Sequence, residues 1–264
     1  MTHGLLSMDI DFECTTCGKC CHDLRLPLTV TEAVAWLERG NDVQILCEAL
    51  PWPEEPPAEN LQAAHKRRRS FTAMSGSLPT RVVVTLAGAY VGPCPNLQPD
   101  MRCGIYEQRP LVCRIYPAEI NPFIELVPTH KACPPDAWTP ELPPLLRANK
   151  LVDEGILVLI QQSRDADAND RPLKQQVCSL LGIDQAAISN EGFVAHSPDR
   201  FDLLAALHRA RDERGMTMRS PMWSFVSNRR TTVDALMSIG AVASLVNANS
   251  TAGFEYLGFF AASE

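Results

Sequence analysis

Long apolar runs are missing from this sequence. The longest, Gly155 to Ile160, is far short of the roughly 20 residues that a membrane-spanning helix requires. The opening stretch, MTHGLLSMDIDFECTTC, has neither the basic n-region nor the apolar h-region of a secretory signal, so a cytosolic chain with no anchor is expected. Positive charge is also scarce. Against 31 Asp and Glu there are 24 Lys and Arg, a formal net charge of −7, so the electrostatics call for neither nucleic acid nor an anionic membrane. The sequence also has no dinucleotide-binding glycine fingerprint, P-loop, His-Glu-x-x-His or Gly-x-Ser-x-Gly, so no catalytic residue is assigned and enzymatic activity stays open. The chain contains no low-complexity tract, and its C-terminal part has no internal repeat.

Cysteine is what the sequence has in quantity. There are 10, and Cys14, Cys17, Cys20 and Cys21 fall within "ECTTCGKCCHDLR". A second group, Cys94, Cys103, Cys113 and Cys133, occupies "GPCPNLQPDMRCGIYEQRPLVCRIYPAEINPFIELVPTHKAC". In a cytosolic chain such clustering indicates a metal or catalytic site rather than a disulfide framework. A Cys-x-x-Cys turn points two sulfurs at one ion, and Cys14, Cys17 and Cys20 repeat that spacing twice. Neighbouring side chains diverge, so Cys20 and Cys21 are poor equivalent ligands of one metal and are free to serve different metals. Bacterial ferredoxins continue differently after the third cysteine, and the second group has the spacing of no standard zinc or iron–sulfur pattern. Cys47 and Cys178 stand alone and read as small packed residues.

The chain is 264 residues long with 45% hydrophobic and 21% charged residues, enough for one substantial core or two smaller ones. "LPLTVTEAVAWLERG" predicts a helix with a Thr29/Glu32 capping box and a stop at Gly40. "TRVVVTLAGAY" and "FIELV" predict strands, and the basic run His65 to Arg69, after four prolines, reads as a solvated loop. "PPDAWTPELPP" reads as a linker or an extended wrap, after which helices are expected in "LVDEGILVLIQQSRD", in "SPDRFDLLAALHRARDERG" and in "TTVDALMSIGAVASLVN". In the second of these Ser197 is the expected N-cap, Pro198 the first helical residue and Gly215 the stop, with Phe201, Leu204 and Leu207 facing the core. The expected architecture is α+β. A small cysteine-rich metal-binding domain of short strands and helices spans residues 9–138, a linker 139–149, and a mainly helical C-terminal region 150–264 that packs against it or offers a protein partner a surface.

The Cys-x-x-Cys-x-x-Cys-Cys opening together with "CGIYEQRPLVCRIYP" resembles the YkgJ-type cysteine cluster proteins, regarded as zinc- or iron-chelating. The resemblance spans about Asp9 to Trp138 and implies eight metal-ligating cysteines, those of the two groups above, in a family whose biochemical activity is largely unassigned. Lysine methylation of flagellin, linked to some related proteins, is a distant analogy. A tetrathiolate around zinc carries a net charge of about −2, so nearby cations should stabilise it, and Arg109 and Arg114 suit that role. Pro110 can open a short helix that carries Cys113. His22 and His130 are weaker ligand candidates, and a Cys21/His22 nucleophile pair lacks the geometry that sequence adjacency cannot supply. Three roles compete: a structural or storage zinc protein, an iron–sulfur redox protein, and an accessory or catalytic component of protein modification.

Overall fold

The computed structural model of the protein describes residues 8–213, 222–246 and 253–263. Its strands are β1 (Ile10–Asp11), β2 (Arg25–Leu28), β3 (Val43–Pro51), β4 (Ser70–Ser75), β5 (Leu78–Ala89), β6 (Pro144–Arg147), β7 (Lys150–Leu151), β8 (Gln185–Ile188), β9 (Gly192–His196), β10 (Ser224–Ser227), β11 (Ala243–Leu245) and β12 (Phe254–Gly258). The α-helices are α1 (Val30–Glu38), α2 (Leu61–Arg69), α3 (Leu111–Ile115), α4 (Glu154–Leu180), α5 (Arg200–Asp212) and α6 (Arg230–Ser238). Helices and strands together make the chain α+β, as expected. Among the described residues, no helix is long and apolar enough to cross a membrane.

Two compact units divide the chain, and each is built from two separate segments. The cysteine unit comprises Met1–Leu24 and Tyr90–Asp165; the sheet unit comprises Arg25–Ala89 and Ala166–Glu264. This corrects the expected boundaries. The segment 139–149 is no linker: it contains β6, which pairs antiparallel with β1, and Phe12 N–H donates to the Pro143 carbonyl at 3.0 Å. The C-terminal region is not simply helical either, since β8 to β12 all enter the large sheet.

In the sheet unit the order is β11-β10-β8-β3-β5-β2, with β4 on β5 and β9 joining β3 to β12. β3 and β5 pair antiparallel from Val43 opposite Gly88 to Pro51 opposite Thr80, whereas β3–β8, β8–β10 and β10–β11 are parallel. β3 is buried over most of its length, which fits its near-continuous apolar sequence and its pairing on both edges. The predicted strand from Thr80 forms as β5, whose Val82, Val83, Val84 and Leu86 are all in the core. Thr29 and Glu32 form the predicted capping box on α1, Asp170 accepts from the Val30 N–H at 2.7 Å, and Gly40 sits at φ +87° just past the helix.

Other local expectations fail for identifiable reasons. The basic run is a helix, α2, because Asn60 caps it and its cations find partners on other elements. Lys66 Nζ donates to Glu48 Oε1 and Ser189 Oγ, both at 2.8 Å, and Ser189 Oγ donates to Glu48 Oε2 at 2.7 Å. Arg69 and Lys174 both bind the Asp167 carboxylate. α5 begins later than expected: Asp199 caps it through the N–H groups of Phe201 and Asp202. Its inward face is therefore Leu203, Ala206, Leu207 and Ala210, while Phe201 is exposed and Leu204 half-buried. The proposed stop Gly215 lies outside the described residues, as does Asn247 at the end of the last predicted helix; α6 stops at Ser238, and β11 follows. Phe123 to Val127 form turns and irregular chain, not a strand.

The cysteine unit has little regular structure. β1, β6 and β7 form a three-stranded sheet over a core of Ile10, Leu126 and Leu145, flanked by Phe12, Trp138, Leu146, Leu151 and Ile156. The Phe12 and Trp138 rings lie 4.8 Å apart. Loops make up most of the remainder, and they carry the clustered cysteines except Cys113, which is on α3.

Candidate metal centre

The first cysteine loop doubles back on itself, with Cys21 N–H donating to the Gly18 carbonyl at 3.0 Å. Thr16, Gly18 and Asp23 all have positive φ, which lets the chain coil tightly enough to present closely spaced sulfurs. At Gly18 (φ +68°) a Cβ would stand 2.7 Å from the Met101 carbonyl oxygen, so this position admits only glycine where the two cysteine loops touch. The loops are also joined by backbone: Cys94 N–H donates to the Cys21 carbonyl at 2.7 Å, and His22 bridges to Pro93. Within the second loop, Leu97 N–H donates to the Cys94 carbonyl at 2.8 Å and Leu97 pairs across from Cys103. These bonds bring Cys21, Cys94 and Cys103 into one neighbourhood.

Cys113 rides on α3, where its N–H donates to the Pro110 carbonyl at 3.0 Å; Pro110 is the cap and Leu111 the first helical residue. Burial pushes its thiol up to about 12, with the charges of Cys94, Cys20 and Cys103 acting in the same direction and Arg109 opposing. The other end of the site is built by the segment Ala132–Ala137. Glu13 N–H donates to the Ala137 carbonyl at 3.1 Å, which brings the chain leading into Cys14 alongside that segment. Cys133 is raised by burial, and the charges of Cys20, Cys14 and Cys17 add to the effect.

Cys20 and Cys21 have sulfurs 4.0 Å apart. The hydrogen bond between them raises Cys20 and lowers Cys21, while burial acts to raise both. Cys14 is exposed and the other clustered cysteines are partly buried, which leaves the sulfurs reachable by a hydrated ion. Among the described residues, no group of three or more His, Cys, Asp or Glu side chains could hold an ion as they stand. The donor set nevertheless suits a soft or borderline cation, because the eight clustered thiols share one unit with Arg109 and the Tyr90 and Tyr116 hydroxyls.

The sequence-predicted residues divide as follows. Arg109 acts on both Cys20 and Cys113, stacks over the Tyr106 ring at 3.7 Å and donates to the Tyr106 carbonyl at 3.1 Å. Arg114 lines a groove with Asp153, Ile156, Val158, Leu159 and Gln162. His22 is held by its backbone bridge, and His130 ends a 3-10 turn whose last N–H bonds to Val127. Cys47 and Cys178 lie in the sheet unit, both fully buried, with Cys178 hydrogen-bonded to Cys47 and raising it further beyond the effect of burial.

Two tyrosines escaped the sequence reading. The Tyr116 hydroxyl accepts from Ala132 N–H at 2.8 Å and donates to Cys133, and the Tyr90 hydroxyl interacts in the same way with Cys94. Burial raises both phenols, so they stay protonated as donors. Their signal was proximity alone: Tyr116 follows Cys113 by three residues and Tyr90 precedes Cys94 by four.

A cysteine-cluster module is the class of structure that these loops and sulfurs define. Residues 13–134 match the CxxCxxCC family model, described as "Putative zinc- or iron-chelating domain". No curated protein and no solved structure matches the chain. The matched segment takes in both cysteine groups, and it includes residues 25–89 of the sheet unit as well.

Proposed function

We propose that this protein chelates zinc or iron through the cysteines of its cysteine unit, and that the ion completes the fold of that unit. The observation that carries this reading is segregation. All eight clustered cysteines belong to the unit with the sparser core, and the two solitary ones are buried among apolar side chains of the sheet unit. Buried thiols used only for packing would have no reason to collect in loops. Bound metal would supply strong cross-links between loops that make few apolar contacts, as structural zinc does in small domains. Arg109 offsets thiolate charge near Cys20 and Cys113, while Tyr90 and Tyr116 donate to Cys94 and Cys133 and so orient those sulfurs.

Elemental analysis and a visible spectrum of anaerobically purified protein test the proposal. Zinc or iron bound stoichiometrically in the parent, greatly reduced in Cys113→Ser and retained in Cys178→Ser, is the expected result. Serine keeps the size while replacing a soft thiolate by a poor ligand. A parent that binds no metal, or a Cys113→Ser variant with parental occupancy, would remove the reading. Iron accompanied by acid-labile sulfide would assign the thiols to an iron–sulfur centre with a redox role.

A further inference from the structure

The eight clustered thiols exceed what one mononuclear site uses, and their placement suggests how they are shared. Cys21 is tied by backbone hydrogen bonding to Cys94, and through Leu97 to Cys103. The charges that act most on Cys21 are those of Cys113, Cys94 and Cys103. Cys133, by contrast, lies in the segment that bonds back to Glu13, and the charges acting on it are those of Cys20, Cys14 and Cys17. Each neighbourhood has its own tyrosine donor, Tyr90 at Cys94 and Tyr116 at Cys133. Cys20 is at the seam: its sulfur lies 4.0 Å from that of Cys21, and its charge acts on both Cys133 and Cys113.

Resting on the chelation reading above, we infer that the eight cysteines make two tetrathiolate sites, Cys14, Cys17, Cys20 and Cys133 in one and Cys21, Cys94, Cys103 and Cys113 in the other, divided at the Cys20–Cys21 peptide. Each site joins the first loop to distant thiols, Cys133 alone in one and Cys94, Cys103 and Cys113 in the other, so neither forms from a single loop. The ligand class is a divalent cation with thiolate preference. On binding Zn²⁺, each site releases the protons of its four thiols to solvent and gives a complex of net charge −2. Two separated centres also spread that charge better than one compact group of eight thiolates would.

The test is Zn²⁺ uptake by the full chain, stripped anaerobically and titrated against a competing chelator. The expected parent stoichiometry is two ions per chain. Cys133→Ser should retain one; Cys133→Ser with Cys20→Ser should also retain one, because both changes strike the same site. Cys133→Ser with Cys21→Ser should retain none. Equal stoichiometry in the two double variants would overturn the division, and so would loss of both ions in Cys133→Ser. Absence of uptake by the parent would instead overturn the chelation reading itself. A measurement on the unmutated chain guards against misfolded variants: during stepwise zinc withdrawal, alkylation mapped by mass spectrometry should expose the cysteines as the two stated sets. Simultaneous exposure of all eight, or sets that mix the two, would overturn the inference.

Discussion

The sheet unit and the cysteine unit solve the same problem with different materials. In the sheet unit, β3 and β5 align side by side over their length and helices such as α1 and α5 bury apolar faces. Hydrophobic burial of that extent supports a fold without further help. The cysteine unit has three short strands, one five-residue α-helix wholly its own and a small apolar cluster around Ile10, Leu126 and Leu145. A segment with so little to bury gains most from cross-links, and thiolates held by an ion would supply them. The eight clustered cysteines occur where burial is thin, and the two solitary ones, Cys47 and Cys178, sit in the core of the sheet unit.

Metal withdrawal should break the comparison most completely. Structural zinc contributes about 10–16 kcal/mol in small domains, so stripping the ion should abolish amide-exchange protection in residues 13–24 and 90–134 while β3, β5 and β8 stay protected. Hydrogen exchange resolved by mass spectrometry reads both units in one experiment; equal protection before and after verified stripping would show that the ion is not structural.

The reverse experiment weakens the sheet unit alone. Asp167→Asn leaves the nearly buried Lys174 and the partly buried Arg69 facing a neutral group, with an expected cost of about 3–5 kcal/mol and unchanged metal content. Burial would raise Asp167, but the two cations outweigh it and hold the carboxyl below its ordinary range. Its contribution is therefore fully present above the unfolded value of about 3.9 and is lost as pH falls through the lowered folded value. Denaturant unfolding of parent and variant between neutral and strongly acid pH should show their difference shrinking toward zero.

Gly18→Ala sharpens the contrast from the other side. The added methyl group meets the Met101 carbonyl at a backbone angle unsuited to alanine, so a loss of about 1–3 kcal/mol is expected in the cysteine unit. At about 1.4 kcal/mol per tenfold, that is roughly a five- to hundredfold weaker hold on zinc in chelator competition. Thr29→Ala should have the smallest effect. It removes one half of the α1 capping box, costs about 1 kcal/mol in thermal unfolding of the sheet unit and leaves zinc affinity alone.

What the sequence made legible was local. The α1 cap, the Gly40 stop and β5 could be read because each depends on residues within a few positions of one another. α2 could not, since the partners that hold its cations, Glu48, Ser189 and Asp167, come from elements far along the chain. β8 and β9 are short segments whose strand character comes from pairing with β3 rather than from their own pattern. At the site, the cysteine spacing announced metal chemistry, but the expectation that Cys20 and Cys21 diverge failed: the tight loop brings their sulfurs to 4.0 Å. The placing of the first cysteine loop against the second was not legible, because it depends on loop contacts such as Gly18 on Met101.

The interleaving of the two units sets an order of events on the ribosome. The cysteine unit is complete in sequence once Asp165 has emerged, whereas β3 still lacks β8 and β9, which are made later. Synthesis runs at about 5–20 residues per second, so for seconds the nascent chain carries all the thiols needed for metal capture beside a sheet with one open side. That open side is the β3 edge, "VQILCEALP", an apolar strand of the kind that recruits other chains when it is left unpaired. A gene cut after residue 165 would freeze the chain in this state, with the cysteine unit retained and the sheet permanently unfinished, and its product should be sticky even in the presence of zinc.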